Sequence, residues 1–339
     1  MIPSSIAQVE PPLTCARVIA QDKGSYVVAT AGGESRAQIR GALLHENTES
    51  IELPVVGDYV AIKHSDGTSM IERVLERKNL FTRRAVWGSH SMQPIAANID
   101  TLFITMAMNR DFNLRRIERY AIAAANKIPF VVLLTKSDLM EKPEFFIDSV
   151  SLLLNKIPVF AVSAVEGDGL DQISQFLGRG KTIAFVGSSG VGKSTLINAL
   201  LGEDVQFVQD VREQDDRGRH TTTRRLLLQM EDGTSIIDTP GMREFALADA
   251  EDGIHTAFAE VLQLSTGCRF SDCRHNTEPD CAVRASMDAA RYASYQKLER
   301  EAAFEARKND PRRKSEDRLK WRAIHKENRR RENNKYKNF

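Results

Sequence analysis

The first part of the chain, residues 13 to 80, alternates apolar and polar positions in short runs. Examples are ARVIA, SYVVAT, DYVAIK and SMIERV, and turns that contain Gly or Asp separate the runs. An alternation of period two is typical of strands with one buried face, so the segment predicts about five strands in a small antiparallel barrel. The pattern does not choose between an OB-like and an SH3-like barrel, of which the first often carries nucleic acid on its open face.

The pattern changes at Ile99. Continuous apolar runs such as TLFITMAM, PFVVLLT, IPVFAVS and TIAFVG alternate with helical stretches such as LRRIERYAIAAANK and STLINALL, as far as about residue 245. Because strands that carry helices on both faces are buried on both sides, this alternation predicts a mainly parallel sheet covered by helices. After residue 250 the strand signal ends, and a helical pattern surrounds a cluster of cysteines.

We therefore predict a multidomain α/β protein. Residues 1–90 form an OB-like β-barrel and a linker, residues 91–247 form the α/β domain, and residues 248–339 form a helical domain with a basic tail. The length of 339 residues agrees with several domains, because single cores usually stop growing at about 250 to 300 residues. An apolar content of 42% excludes a mainly disordered chain.

Charge is unevenly distributed along the chain. The whole sequence carries a net charge of +1, but Lys297 to Phe339 contain 16 basic and 8 acidic residues, which leaves the preceding part at −7. Such a tail can neutralise RNA phosphates, and the alternative is a solvated helix with internal ion pairs. No apolar run approaches the roughly 18 residues that span a bilayer, and the start lacks a secretory signal, so we expect a cytoplasmic protein without membrane contact. We also expect a monomer.

A glycine-rich segment, GSSGVGKS (187–194), lies directly between the apolar strand TIAFV and the apolar helix TLINALL. This context lets backbone N–H groups and the positive end of a helix converge on phosphate. Lys193 should reach the β- and γ-phosphates, and the Ser194 hydroxyl should bind Mg²⁺. The alternative is a glycine-rich turn without a ligand. The loop itself does not distinguish ATP from GTP.

Two further segments have the character of switches. In IIDTPG (236–241), Asp238 ends a strand and can hold Mg²⁺, while the N–H of Gly241 can approach a γ-phosphate. The polar stretch GRHTTT (218–223) is suited to supply a threonine to Mg²⁺. A solvated loop is the alternative for this stretch.

Base recognition is predicted for TKSD (135–138), which follows the buried strand FVVLL. The carboxylate of Asp138 can accept both the ring N–H and the exocyclic amine of guanine, a pair of donors that adenine does not present together. Ser163 and Ala164, after the strand PVFAV, would help the backbone to contact the guanine O6. A surface lysine and aspartate without a ligand are the alternative. The residues that we predict to bind GTP are Thr135, Lys136, Ser137, Asp138, Ser163, Ala164, Gly187, Ser188, Ser189, Gly190, Val191, Gly192, Lys193, Ser194 and Thr195.

Three of the four cysteines and one histidine fall within fourteen residues, as Cys268-x4-Cys273-x-His275-x5-Cys281. Three thiolates and one imidazole are enough for a closed tetrahedral Zn²⁺ site, so we predict one structural zinc ion per chain. The alternative is a set of incidental thiols. Cys15 lies far away in the sequence, which favours a free thiol.

Along the chain, the two base-recognition segments come first, the phosphate loop follows, and the two switch segments come last. Ordinary GTPases begin with the phosphate loop. This order resembles the circularly permuted GTPases. With a barrel before the motifs and the Cys/His cluster after them, the chain is similar to the ribosome small subunit-dependent GTPase A family. The resemblance rests on GSSGVGKSTLIN, GRHTTT, IIDTPGMREF and CRFSDCRH. It implies a GTPase that acts late in maturation of the small (30S) ribosomal subunit, is stimulated by that subunit and binds its rRNA.

The resemblance also implies roles for single residues. Thr222 would bind Mg²⁺ together with Ser194 and Asp238. Many GTPases place Gln after the switch glycine to orient water, but Met242 stands there and cannot do so. We therefore interpret His220 as the residue that positions the water. The predicted catalytic residues are His220, Lys193, Thr222 and Gly241.

A second departure concerns Thr135, which stands where Asn commonly begins the base motif and can make fewer hydrogen bonds. Guanine selectivity should survive because it depends on Asp138. Three other functions stay open at this stage. They are an RNA-binding zinc protein that uses GTP as a structural or switch ligand, a nucleotide-dependent factor on another RNA, and, last, an ATPase or small-molecule kinase.

Overall fold

The structure is a computed structural model that describes residues 9–22, 25–41, 52–64, 68–84, 92–125, 128–154, 157–202, 225–239, 254 and 257–309. Several predicted features lie outside these residues: the GRHTTT stretch with His220 and Thr222, the switch residues Gly241 and Met242, and the basic tail from residue 310 onward. The described chain forms two compact units, residues 1–266 and residues 267–339. The domain boundaries predicted at residues 90 and 247 stay predictions.

Five strands form a closed barrel in the first unit. β1 pairs with both β2 and β4, β2 pairs with β3, β3 with β5, and β5 with β4. In β1 the side chains of Ala16, Val18 and Ala20 point to the buried interior at every second position, as the alternation in the sequence predicts. The predicted OB-like barrel is confirmed. The strands are β1 (Thr14–Asp22), β2 (Ser25–Thr30), β3 (Gly33–Ile39), β4 (Tyr59–Lys63) and β5 (Ser69–Val74).

One strand pair of the barrel differs from the prediction. β3 and β5 run parallel, with Ala37 opposite Ser69, whereas the sequence pattern predicted antiparallel strands only. Closure explains the difference. β4 is antiparallel to both β1 and β5, so β5 must run in the same direction as β1, and β3 already does because it is separated from β1 by the antiparallel β2.

The α/β part contains a mainly parallel sheet in the order β10-β9-β8-β11-β13-β12, in which only β12 runs antiparallel. Its strands are β8 (Thr101–Ala107), β9 (Phe130–Thr135), β10 (Val159–Val162), β11 (Thr182–Val186), β12 (Arg225–Gln229) and β13 (Ser235–Asp238). The helices are α1 (Leu114–Ala124), α2 (Glu144–Leu153), α3 (Leu170–Ser174), α4 (Lys193–Leu201) and α5 (Ala259–Ser265), and a 3₁₀ turn covers Ser137–Leu139.

Apolar residues of these strands pack on both faces of the sheet. From β8, Leu102 and Ile104 belong to the cluster that includes Ile117 of α1, whereas Phe103 belongs to the cluster that includes Leu196 of α4. Alternate side chains of one strand thus enter two cores, which is why these strands read as continuous apolar runs. None of the helices in the described ranges is long and apolar enough to cross a membrane.

The barrel and the α/β sheet are continuous. β1 pairs with β12, and the guanidinium of Arg17 in β1 donates to Thr182 Oγ1 (2.7 Å) and Ser235 Oγ (3.0 Å), at the starts of β11 and β13. A separate hairpin, β6 (Leu80–Arg84) with β7 (Met92–Ala97), connects the barrel to β8 in the sequence. The second compact unit contains α6 (Ala282–Ser286) and α7 (Ala289–Asn309), which follow a loop that carries the Cys/His cluster.

Candidate functional site

Four predicted segments meet at one edge of the parallel sheet. Thr135 ends β9, Ser163 follows β10, Gly187 follows β11 and Asp238 ends β13. The chain moves outward from β8 to β9 and β10 and then returns to place β11 on the other side of β8. Ligands of open α/β sheets bind beyond the carboxyl ends of the strands where the order reverses in this way. The topology therefore marks this edge as the candidate site.

The phosphate loop connects β11 to α4. A Cβ atom added to Gly187 would lie 2.3 Å from the carbonyl oxygen of Thr105, so only glycine allows the loop to pass so close to β8. Gly192 has φ +94° directly before α4, which begins at Lys193. Ser189, Gly190, Ser194 and Thr195 are exposed around this helix end. The loop thus presents backbone donors and the positive end of a nine-residue helix to solvent.

Lys193 is buried under this loop with 6% of its surface exposed. Its Nζ donates to the carbonyl oxygens of Gly187 (3.0 Å) and Ser188 (2.9 Å). An ammonium group has three donors, so one remains for a phosphate oxygen. Burial lowers the pKa of Lys193 to about 8, and the nearby Asp238 opposes this shift.

Two bridges join the TKSD segment to the phosphate loop. The Thr135 hydroxyl donates to the Val191 carbonyl oxygen (2.5 Å), and Lys136 Nζ donates to the Gly190 carbonyl oxygen (3.0 Å). Lys136 adopts φ +65°, a left-handed conformation that is uncommon for lysine. The single hydroxyl of Thr135 is therefore sufficient to connect the two segments directly.

Asp138 is exposed at the end of the base segment, and one of its carboxylate oxygens already accepts a hydrogen bond. Ser163 donates from its hydroxyl to Asp138 Oδ1 (2.7 Å) and accepts from the Glu166 N–H (3.1 Å). Within the described residues this is the one hydrogen bond to the Asp138 carboxylate, which leaves acceptor positions for a base. Sequence reasoning gave Ser163 a backbone role toward the base, but its hydroxyl orients the carboxylate. The sequence gives no indication of this hydrogen bond, because a serine after a strand is common and Asp138 lies 25 residues away.

The four predicted metal ligands of the second unit converge. Their ligand atoms all lie within 4.8 Å of one another, and none of the cysteines forms a disulfide. Cys268 Sγ and Cys281 Sγ are 4.0 Å apart, and His275 Nδ1 lies 3.6 Å and 3.5 Å from them. A tetrahedral Zn²⁺ with bonds of about 2.3 Å to sulfur and about 2.0 Å to nitrogen requires a sulfur–sulfur separation of about 3.8 Å and a sulfur–nitrogen separation of about 3.5 Å. The donor set and its spacing fit zinc.

Residues that the sequence analysis did not single out hold the zinc loop in place. The Glu278 carboxylate accepts N–H bonds from Asn276 (2.8 Å), Thr277 (3.0 Å) and Arg274 (3.2 Å). These backbone donors, Asn276 above all, lower the pKa of Glu278 to about 2. The Tyr292 hydroxyl in α7 donates to the carbonyl oxygen of the ligand His275. A glutamate between two ligands is a weak sequence signal, because its partners are backbone groups.

The remaining predicted residues divide into two groups. Asp238 is described and lies close enough to raise the pKa of Lys193. His220, Thr222 and Gly241 are outside the described residues. The structure thus brings together the base segment, the phosphate loop and one of the switch residues.

Known proteins resemble this chain over most of its length. The model of the RsgA GTPase family matches residues 74–248. A small ribosomal subunit biogenesis GTPase RsgA from Opitutus terrae is 42% identical over 94% of this chain and 91% of its own length, and one from Methanosarcina acetivorans is 40% identical over 86% and 80%. The crystal structure of YjeQ from Thermotoga maritima superposes with a TM-score of 0.60 and 26% identity, and it covers 84% of this chain and 96% of that chain. The chain belongs to the RsgA GTPase family.

Proposed function

We propose that this protein hydrolyses GTP to GDP and phosphate and acts in biogenesis of the small ribosomal subunit, whose rRNA it binds. The observation that carries the proposal is the pair of hydrogen bonds from Thr135 and Lys136 to the phosphate loop, which supports one nucleotide contacting both the Asp138 carboxylate and this loop. Relatives at about 40% identity are named as GTPases of small-subunit biogenesis. The subunit stimulates hydrolysis in this proposal.

The nucleotide is held at its two ends. Asp138, oriented by Ser163, reads guanine, and the loop from Gly187 to Thr195 binds the phosphates. Lys193 donates its third N–H to the β- and γ-phosphate oxygens and, with the end of α4, stabilises charge that develops on the transferred phosphoryl group. Ser194, Thr222 and Asp238 would hold Mg²⁺, which would neutralise the triphosphate. Hydroxyl and carboxylate oxygens are the ligands that this ion prefers.

We propose that His220 positions the attacking water, because Met242 has no group that can do so. Replacing His220 by Ala should reduce subunit-stimulated turnover by about a hundredfold and leave GDP binding unchanged. Single-turnover kinetics with saturating small subunits measures this. Full turnover in the variant would rule out the role.

Zinc is proposed as a structural ion, one per chain, bound by Cys268, Cys273, His275 and Cys281. These four side chains would fill all four positions of a tetrahedral ion and would leave none for water or substrate. The ion would fix the loop that leads into α6 and α7.

We expect Asp138→Asn to reduce the preference for GTP over ATP by about a hundredfold. The substitution replaces two charge-assisted acceptor contacts to guanine, each worth about 1.5 kcal/mol or more. Competition binding with a fluorescent guanine nucleotide measures the effect, and Asp168→Asn, a change at an exposed aspartate on the neighbouring loop, is the control. Unchanged selectivity in Asp138→Asn would contradict the assignment.

Nucleotide binding should take up protons above neutral pH. In the free protein the pKa of Lys193 is about 8, and phosphate oxygens raise it in the complex. Binding of GDP should then take up about 0.5 proton at pH 8 and about 0.75 at pH 8.5, where the phosphates are already ionised. Affinity should fall as pH rises beyond 8. Calorimetry in two buffers of different ionisation enthalpy counts these protons, and no uptake at pH 8.5 would contradict the assignment.

The proposed partners follow from the same account. The barrel and the basic tail are proposed to contact rRNA of the small subunit, and the protein to act as a monomer in the cytoplasm. Co-sedimentation should show stoichiometric binding to small subunits that weakens as salt rises. Equal binding to small and large subunits, or binding that salt does not weaken, would contradict this part of the proposal.

A further inference from the structure

The helix α2, which follows the base segment, packs with one side against β10 and α1. The side chains of that side belong to the apolar cluster that includes Ile117 of α1, and they are Phe146, Ile147, Val150 and Leu153. The exposed positions of the helix are Glu144, Phe145, Asp148, Ser151 and Leu152. At 100° per residue these five positions lie within an arc of about 120°. We call them the α2 face, and the proposed function assigns no role to it.

Two of the five side chains on the α2 face are large and apolar. Phe145 is 69% exposed, and Leu152 is 88% exposed, the highest value among the large apolar side chains of the described residues. They are seven positions apart, about two helical turns, so they lie in line along the helix. Single exposed apolar residues are common, but the exposed side of an amphipathic helix is ordinarily polar. Two aligned apolar side chains on that side indicate a binding surface.

The α2 face and its surroundings are acidic. The segment 137–154 contains four acidic residues and one basic residue, Lys142, so its net charge is −3. Glu144 lies in the first turn of the helix, where the helix dipole favours a negative charge. Asp148 lies in the second turn, between Phe145 and Leu152, and that explanation does not apply to it. In the part of the chain that the structure describes, neither Glu144 nor Asp148 forms an ion pair.

The charge of the α2 face restricts what can cover it. RNA phosphates would be repelled by Glu144 and Asp148. A second copy of the chain would bring two acidic faces together, and like charges across an interface are strongly unfavourable. A basic protein supplies both complementary features, since it carries positive side chains for the two carboxylates and apolar side chains for Phe145 and Leu152. Protein interfaces combine an apolar centre with a polar rim in this way.

We propose that the α2 face is a docking surface for a basic protein segment. Apolar side chains of that segment cover Phe145 and Leu152, and its lysine or arginine side chains approach Glu144 and Asp148. The proposal rests on the proposed function for the source of the segment, which is a protein of the small ribosomal subunit. It is a contact with protein, and it therefore differs from the RNA contacts proposed for the barrel and the tail.

The test uses RNA-free proteins extracted from purified small subunits, which are passed over the immobilised full-length chain. We expect the wild type to retain at least one basic protein, identified by its mass, whose affinity is then measured. Phe145→Gln with Leu152→Gln should weaken this binding about a hundredfold, since each apolar side chain at the centre of an interface is worth about tenfold. Leu152→Gln alone should weaken it about tenfold. Its matched control is Leu262→Gln, a change at an exposed leucine of α5, which should keep the wild-type affinity.

The carboxylates of the α2 face are tested separately. Glu144→Gln with Asp148→Asn should weaken binding of the same protein about fivefold, because two exposed ion pairs contribute up to about 1 kcal/mol each. This variant should also lose affinity less steeply than the wild type as salt rises. The control is Glu10→Gln with Glu231→Gln, which makes the same change in net charge at two exposed positions outside the α2 face. It should bind as the wild type does.

Wild-type affinity in Phe145→Gln with Leu152→Gln overturns the proposal, and so does a wild-type chain that retains no small-subunit protein. A loss of binding to protein-free rRNA in this variant, or a wild-type dimer that the variant does not form, also overturns it, because RNA or a second copy would then cover the face. An unchanged melting temperature excludes a folding defect. If small subunits do not stimulate GTP hydrolysis by the wild type, while the α2 face still retains the basic protein, the proposed function fails and the docking surface stands.

Discussion

Replacing Lys193 by alanine is expected to reduce kcat/KM for GTP by about a thousandfold. The lysine is the buried cation of the phosphate loop, and two of its donors are held by the Gly187 and Ser188 carbonyl oxygens. The third donor is therefore aimed before nucleotide binds, and preorganised donors that meet developing charge are typically worth a factor of about a hundred to a thousand. The variant also loses phosphate binding that is equally strong in the ground state and the transition state, and this loss lowers kcat/KM further.

Phosphate release under subsaturating GTP measures the effect. Lys181→Ala is the matched control, because Lys181 is an exposed lysine directly before β11, the strand that leads into the phosphate loop, and this variant should behave as the wild type. A Lys193→Ala protein with more than a tenth of wild-type kcat/KM would show that the phosphates bind elsewhere.

Loss of zinc is expected to unfold the second compact unit while the first unit keeps its structure. The unit has few buried apolar side chains within its described residues, chiefly Val283, Tyr295 and Leu298. A core of this size is too small to stabilise the fold of about forty residues without a metal ion. Binding of a structural zinc ion contributes about 10 to 16 kcal/mol in comparable small sites, which is more than the stability of an ordinary domain.

Cys281→Ala should reduce the zinc content from one ion per chain to less than about a tenth. Circular dichroism should then lose the helical signal of α7, which is 21 residues long. Cys15→Ala removes a buried thiol in the barrel and should retain both zinc and helicity. Equal helicity in Cys281→Ala and Cys15→Ala would contradict a structural role for the metal.

Much of this fold is encoded in local pattern. The buried runs of β8, β9 and β11 predict a parallel sheet because both of their faces are covered, and the alternation in β1 predicts one buried face. The parallel pairing of β3 with β5 was not predictable in this way. Strand direction in a closed barrel depends on all the pairings together, and periodicity within a strand does not contain that information.

In the candidate site, too, the features that local sequence pattern predicts differ from those that depend on contacts between distant residues. Motif spacing identified the phosphate loop and the zinc ligands because these residues are close in sequence and their chemistry restricts the residue types. The bridge from Thr135 to Val191 spans 56 positions, and the bond from Ser163 to Asp138 spans 25. Such contacts depend on the order of strands in the sheet. Glu278 was missed for another reason, since it binds backbone groups that every residue offers.

The most direct test of the account is GTP hydrolysis by the full-length protein with purified small ribosomal subunits. Phosphate release is measured with small subunits, with large subunits and with the protein alone, in parallel for GTP and ATP. The account predicts hydrolysis of GTP that small subunits increase at least about tenfold, with no increase from large subunits and no turnover of ATP. GTP that binds but is hydrolysed no faster with small subunits would contradict it, and would indicate an RNA-binding zinc protein that uses the nucleotide as a ligand.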